Sequence, residues 1–361
     1  LNFKELSFLN KILLLIITCI FFYACTDPIT PPITNGKVEL VKVNSNIVFL
    51  GDTLEITGYN FGYNNTKGVI LFSNGTKILS KNCITWTNHT IKIEVNKIQF
   101  DGKLFVIINA DTSNSLDITL TPYPRFDSVL VSNGSFIMGN DKGLDNESPE
   151  HKVTITKAFQ ITKYEISERL WSLVMNDTNK YNFVENKPKS NVSWKDAIKF
   201  CNALSRLKGL DTCYIFKGDS IVWIDSIDGW RLPTEAEWEF ACRAGTKTEF
   251  SGNNIADEMC WYNANSGMNK HTIGTKRAND LQIYDMHGNL WEWCWNWYDD
   301  NSYLNPITTN PKGPEIGTYH VLRGGAYNSG TSRIRSSNRT IDFGIDYDFS
   351  TVGFRIVRTM K

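Results

Sequence analysis

Two prolines in Thr121-Pro122-Tyr123-Pro124 divide the chain into stretches of different hydrophobic period, and each lacks the N–H that a sheet ladder needs. Before them apolar side chains alternate. Leu54 and Ile56 stand among Thr53, Glu55 and Thr57, and Ile91, Ile93 and Val95 among Thr90, Lys92 and Glu94. A period of two lines one face of a strand with apolar groups, and Gly, Asn and Asp punctuate the rows as turns do. Residues 36–122 are therefore expected to form a small all-β antiparallel sandwich.

After the prolines, residues 126–361 read as helices among short strands and long loops. Ser167 can cap a helix running to about Met175. Ser193-Trp194-Lys195-Asp196 opens a second, in which Ala197, Cys201, Leu204 and Leu207 share a face and Gly209 marks the end. Thr234-Glu235-Ala236-Glu237 is a capping box, with Ala236, Phe240 and Ala241 inward. Trp291, Trp293, Trp295 and Trp297 alternate as residues of one strand face, and core packing is their expected role. The class expected for this part is α+β.

Charge excludes one class of partner. Lys plus Arg and Asp plus Glu are equal at 38 each, so no net field draws the chain to nucleic acid. His89, His151, His271, His287 and His320 are not at metal-ligand spacing, which argues against zinc or non-heme iron.

At the N-terminus, Lys4 and Lys11 precede an apolar run from Ile12 to Ala24 that is shorter than the ~20 residues of a membrane span. The run ends at Ala24-Cys25, before the polar, proline-rich segment 26–35. Residues 1–25 resemble a bacterial lipoprotein signal, which implies a diacylglycerol on Cys25, cleavage before it, and attachment to a membrane of the bacterial cell envelope outside the cytoplasm. Export would place Cys83, Cys201, Cys213, Cys242, Cys260 and Cys294 where disulfides persist. Cys201 and Cys213 are the expected pair, with free buried thiols as the alternative.

Two further resemblances organise the rest. Gly51-Asp52-Thr53-Leu54-Glu55-Ile56-Thr57-Gly58-Tyr59-Asn60-Phe61-Gly62 resembles the IPT/TIG family of immunoglobulin-like modules, which implies a spacer or stalk. The second set of motifs begins with Phe136-Ile137-Met138-Gly139, Glu147 to Val153 and Phe159 to Ile166. It continues through Pro188 to Trp194, Trp230-Arg231-Leu232-Pro233-Thr234-Glu235-Ala236-Glu237-Trp238-Glu239 and Tyr284 to Trp293, and closes with Arg323-Gly324-Gly325-Ala326-Tyr327 and Gly353-Phe354-Arg355. In this order they resemble the formylglycine-generating enzyme, or sulfatase-modifying factor, family. That resemblance implies a loop-rich variant of the C-type-lectin fold.

It also implies a structural calcium, held by the side chains of Asp285 and Glu292 and the carbonyls of Gly288 and Leu290. The family's activity oxidises a substrate cysteine to formylglycine with oxygen and copper(I), using two thiolates shortly after the Arg-Gly-Gly motif. Here Ser329 and Thr331 lie near those places, and from Arg323 to Lys361 there is no Cys and no His. Hydroxyls do not suit copper(I). The expectation is a non-catalytic domain that recognises a protein or glycan at the cell envelope. Its expected binding surface is the C-terminal loop, with Asn328, Ser329, Arg333, Arg335, Asn338 and Arg339. The alternative is an oxidoreductase of the family's own type, or another reaction of the family.

Overall fold

The computed structural model describes residues 36–63, 67–95, 102–177, 186–218, 220–341 and 350–360. The signal segment, the linker after it and Cys25 lie outside the described residues. The chain forms two compact units, most of one lying between Gly36 and Thr119 and the other continuing from Leu120.

The first unit is the sandwich its alternation predicts. One sheet has the order Thr85–Trp86, Thr90–Glu94, Thr53–Tyr59, Glu39–Val43, all antiparallel. The other has the order Ile47–Leu50, Leu116–Pro124, Gly102–Ile108, Val69–Phe72, Lys77–Leu79, and Asp111–Thr112 pairs with Gly102–Ile108. Leu54, Ile56, Ile91 and Ile93 are buried, as are Ile70, Phe72, Leu104 and Val106 of the second sheet. Gly58 is required sterically, because a Cβ there would stand 2.0 Å from the Glu39 carbonyl oxygen and 2.6 Å from the Phe61 ring. Phe61 is fully buried, and its carbonyl accepts from the Trp86 indole at 2.8 Å.

The prolines do not end the sheet where expected. The strand Leu116–Pro124 runs through Pro122 and Pro124. Its register with Gly102–Ile108 stops at Ile118 opposite Gly102, so on that side the prolines lie beyond the ladder.

The second unit has little regular structure for its length. Helices α1 (Glu168–Met175), α2 (Trp194–Leu207) and α3 (Glu235–Arg243) begin at Ser167, Ser193 and Thr234, each accepting from the backbone N–H three residues on. A single-turn helix α4 spans Ala256–Met259. The strand Trp291–Trp297 pairs antiparallel with His320–Arg323, which pairs with Arg339–Ile341, and parallel with Val352–Gly353. A three-stranded sheet (Ser128–Val131, Phe159–Thr162, Val357–Thr359) joins the start of the unit to its end. Hairpins form from Gly134–Met138 with His151–Ile155 and from Tyr214–Lys217 with Ser220–Trp223.

Trp291 and Trp293 are buried, and Trp295 and Trp297 are half-buried. His320 lies between Trp194 and Trp297, with ring centroids 3.7 Å from each. The expected Cys201–Cys213 bridge is corrected: both are free buried thiols, and Cys213 donates from Sγ to the Trp230 carbonyl at 3.4 Å. Both belong to the apolar core around α2.

Candidate functional site

The segment after Arg323-Gly324-Gly325 turns back on itself because both glycines have positive φ, 93° and 77°. A Cβ on Gly325 would stand 2.5 Å from the Ile334 side chain. The next turn is closed by Ser329, whose Oγ accepts from Ala326 N at 3.0 Å while its N–H donates to the Ala326 carbonyl at 2.9 Å. Asn263 N donates to the Ser329 carbonyl. Ser329 is thereby buried as a turn-closing residue.

The rest of this segment is anchored by ion pairs. Arg335 meets Glu147 at 2.6 Å, and Ser337 Oγ and Asn338 Nδ2 donate to the same carboxylate at 2.7 and 3.0 Å. Arg339 makes a two-point pair with Glu235 at 2.7 and 2.9 Å, and Arg323 pairs with Glu239. Burial raises the cost of each free charge, so each of these three buried arginines is held against a carboxylate. The expected binding surface is corrected accordingly. Asn328 and Arg333 are exposed, but Ser329, Arg335, Asn338 and Arg339 are buried, and three of them tie the segment to Glu147 and Glu235. The sequence offered these partners only as acids distant along the chain. Residues 342–349 of the same loop lie outside the described residues.

Of the expected calcium ligands, Glu292 has other partners on both oxygens. Glu292 receives Arg355 Nε on Oε2 and Nη2 on Oε1, both at 2.7 Å, and the Trp238 indole on Oε2 at 2.7 Å. Gly288 N donates to the Gly324 carbonyl and Leu290 N to Glu165 Oε1. Asp285 Oδ2 accepts from Gly274 N at 2.7 Å, and its buried Oδ1 has no partner. Burial raises the Asp285 carboxyl to about 6, helped by Glu292 and opposed by the Gly274 N–H and Arg355. Burial also pushes Glu165 well above the usual range, with Asp285 and Glu292 adding to the effect. Among the described residues, no three His, Cys, Asp or Glu side chains come together to hold a metal ion. Glu292 is not open to calcium here, because the cation that faces it is Arg355.

The thiols fit copper no better. Cys242 lies 3.6 Å from His287 Nε2, and His287 Nδ1 donates to the Ile334 carbonyl at 2.7 Å. That Nε2 already accepts from Ser251 N at 3.0 Å and from Ser251 Oγ at 2.9 Å. All three side chains are buried. Burial pushes the Cys242 thiol up to about 12 and raises Cys260 and Cys294 as well. Burial thus disfavours the thiolates that copper(I) takes as ligands, whose protons would have to be released on binding.

A loop-rich α+β unit, with an arginine-anchored C-terminal segment folded over a tryptophan strand, defines the class of protein. Residues 119–360 match the sulfatase-modifying factor enzyme 1-like domain, and the chain belongs to that family. It is 32% identical over 270 residues to the chaperone protein LppX of Paenibacillus barcinonensis, covering 64% of this chain and 89% of that protein. It is 30% identical over 192 residues to the formylglycine-generating enzyme of Streptomyces coelicolor, covering 47% of this chain and 52%, about half, of that enzyme. Treponema denticola variable protein 1, a solved structure, aligns with a TM-score of 0.60 at 28% identity, covering 65% of this chain and 95% of that one.

Proposed function

We propose that the chain is an exported, lipid-anchored protein of the bacterial cell envelope whose family domain recognises or assembles a protein or glycan partner without oxidising cysteine. The observation that carries this reading is the build of the Ala326–Arg339 segment. Where the family's thiolates are expected, Ser329 closes a turn and Thr331 is an exposed hydroxyl, and the neighbouring Arg335 and Arg339 are spent on Glu147 and Glu235. The described thiols are raised by burial, so they are protonated at neutral pH. What remains accessible is a polar rim at Asn328, Thr331, Ser332 and Arg333, which suits recognition better than chemistry. One relative's name, chaperone protein LppX, supports a protein as the partner.

The test combines metal analysis of the purified protein with oxygen uptake on a cysteine peptide of the sulfatase type. No stoichiometric copper and no uptake are expected. Copper at one equivalent with turnover would return the domain to the oxidase class. Anchoring is tested by Cys25→Ser, which is expected to move the protein from the membrane fraction to the soluble one.

A further inference from the structure

The turn Asp299–Asn305 separates two concavities. One is a cavity of about 310 Å3 with an apolar lining that includes Met138, Tyr303, Pro306, Ile307, Pro311 and Pro314. The Tyr303 ring is fixed in its wall, with the His151 ring edge-on at 4.6 Å and the Arg339 guanidinium 4.6 Å from its centroid. The other is a broader hollow lined in part by Leu144, Asp145, Asp300 and Leu304.

The polar lining of the first cavity includes two acceptors, His151 and Asp299, beside the Asn296 amide, whose Oδ1 already accepts from Glu235 N. His151 Nδ1 lies 2.9 Å from the Pro149 carbonyl, which only accepts, so Nδ1 carries the proton and Nε2 of the neutral ring is an acceptor. Asp299 uses one carboxylate oxygen to accept from Asn301 N, and the other has no partner among the described residues. Neither hollow is lined by Lys or Arg. Lys312, the basic residue of the stretch, turns away to pair with Asp225 over the Trp223 ring. Each hollow also has an exposed aliphatic side chain in its lining: Leu304 is 60% exposed and Ile307 61%. Large aliphatic groups so exposed and close in sequence mark a contact surface.

The geometry points to a docking site for a basic amphipathic peptide segment, with an apolar side chain in the proline-walled cavity and flanking Lys or Arg side chains against Asp299, Asp300 and Asp145. The cavity suits one large side chain, and prolines give it a wall that loses little entropy on binding. The carboxylates set the sign of the partner and speed its approach. A sugar fits less well, because the Tyr303 ring is almost wholly buried and offers no stacking platform, while the rim aliphatics would desolvate hydroxyls. This site is separate from the polar rim at Asn328–Arg333, so the two can be disabled independently.

The experiment measures fluorescence anisotropy of a labelled short peptide alternating Lys and Leu, titrated with the full chain. A Lys/Ser peptide and a Glu/Leu peptide serve as comparisons, and each is expected to bind at least about tenfold more weakly. Ile307→Ser is expected to weaken the Lys/Leu peptide about tenfold. Asp299→Asn is expected to weaken it and to flatten the salt dependence. Both positions are at the surface, and circular dichroism checks that each variant is folded. The inference is overturned if the Lys/Leu peptide does not bind, if Lys/Ser or Glu/Leu binds equally well, or if neither substitution changes its affinity. Arg333→Ala is expected to leave this binding unchanged.

Discussion

Glu292 and Arg355 form a two-point ion pair with neither side chain exposed to solvent. Arg355 Nη2 also donates to the Tyr284 carbonyl at 2.8 Å, and the pair ties the tryptophan strand to the last part of the chain. The two-point pair recurs in Arg339 with Glu235, and Arg335 meets Glu147 through one nitrogen. Arginines at the C-terminal end thus act as rivets that hold irregular backbone in place of a ladder.

Replacing Arg355 by Lys should therefore be costly. A lysine offers one point of charge where two parallel N–H donors are used, and it leaves Glu292 buried and poorly paired. A loss of about 3–5 kcal/mol is expected in denaturant unfolding. Joining Arg355→Met to Glu292→Leu should recover a large part of that loss. A double variant no better than the lysine single would show that the pair is not the unit of stability.

Because Arg355 is the cation facing Glu292, excess chelator is expected to leave the melting temperature unchanged. A drop on chelation, reversed by calcium, would assign a metal to the cluster in place of the arginine.

Asp285 is the strained member of that cluster. Its φ of 56° is one that Asn tolerates, and Asn can still accept from Gly274 N. The carboxyl is raised to about 6, so ionising it opposes folding, and stability from this group is lost as pH rises through about 6. Asp285→Asn is expected to be stabilising at pH 7, by on the order of 2–3 kcal/mol, and near neutral below about pH 4. Equal effects at both pH values would contradict the buried-charge account.

The helices and the tryptophan strand were legible because their signals are local. Ser167, Ser193 and Thr234 each cap the helix that follows by accepting from an N–H three residues on, and the strand alternates within seven residues. The site was not legible for the opposite reason. Arg335 and Arg339 read as loop residues fit for binding, and what buries them is Glu147 and Glu235, 188 and 104 residues distant. Glu292 likewise reads as an oxygen ligand until Arg355 is placed beside it. Hairpin Tyr214–Trp223 and the cavity at Tyr303 gave no local motif, although three prolines between Pro306 and Pro314 marked a stiff loop.

The thiols make a further expectation. Cys201, Cys213, Cys242, Cys260 and Cys294 are buried, and Cys83 is partly exposed with its thiol raised to about 11 by burial. With a maleimide at about pH 8, an ordinary exposed thiol reacts quickly. Of these six, Cys83 alone is expected to label in the native protein, and slowly, while all six label in denaturant. Mass-spectrometric mapping reads the sites. Rapid native labelling of Cys242 would mean that a thiolate is accessible near Ile334 and would reopen the copper question.

His320 gives the chain an acid-sensitive lock. Stacked between Trp194 and Trp297, it is lowered to about 3 because burial disfavours the imidazolium, although Nδ1 lies 3.2 and 3.3 Å from the Trp295 and Asn296 carbonyls. The unfolded ring takes a proton near its ordinary value, so between about 6.5 and 3 the unfolded state binds more protons and stability falls as pH falls. From about pH 6.5 to 4.5 this group alone should remove about 2–3 kcal/mol. His287, lowered to about 4 by burial, acts in the same direction, and Asp285 acts in the opposite one. The difference between variant and parent therefore isolates His320. His320→Phe keeps an aromatic ring between the two indoles and removes the titration. Its unfolding free energy should be lower than the parent's near pH 7, where a ring hydrogen bond is lost, and should decline less steeply on acidification. Parallel pH profiles for the two proteins would show that His320 is protonated in the folded core without cost, and the lock would not exist.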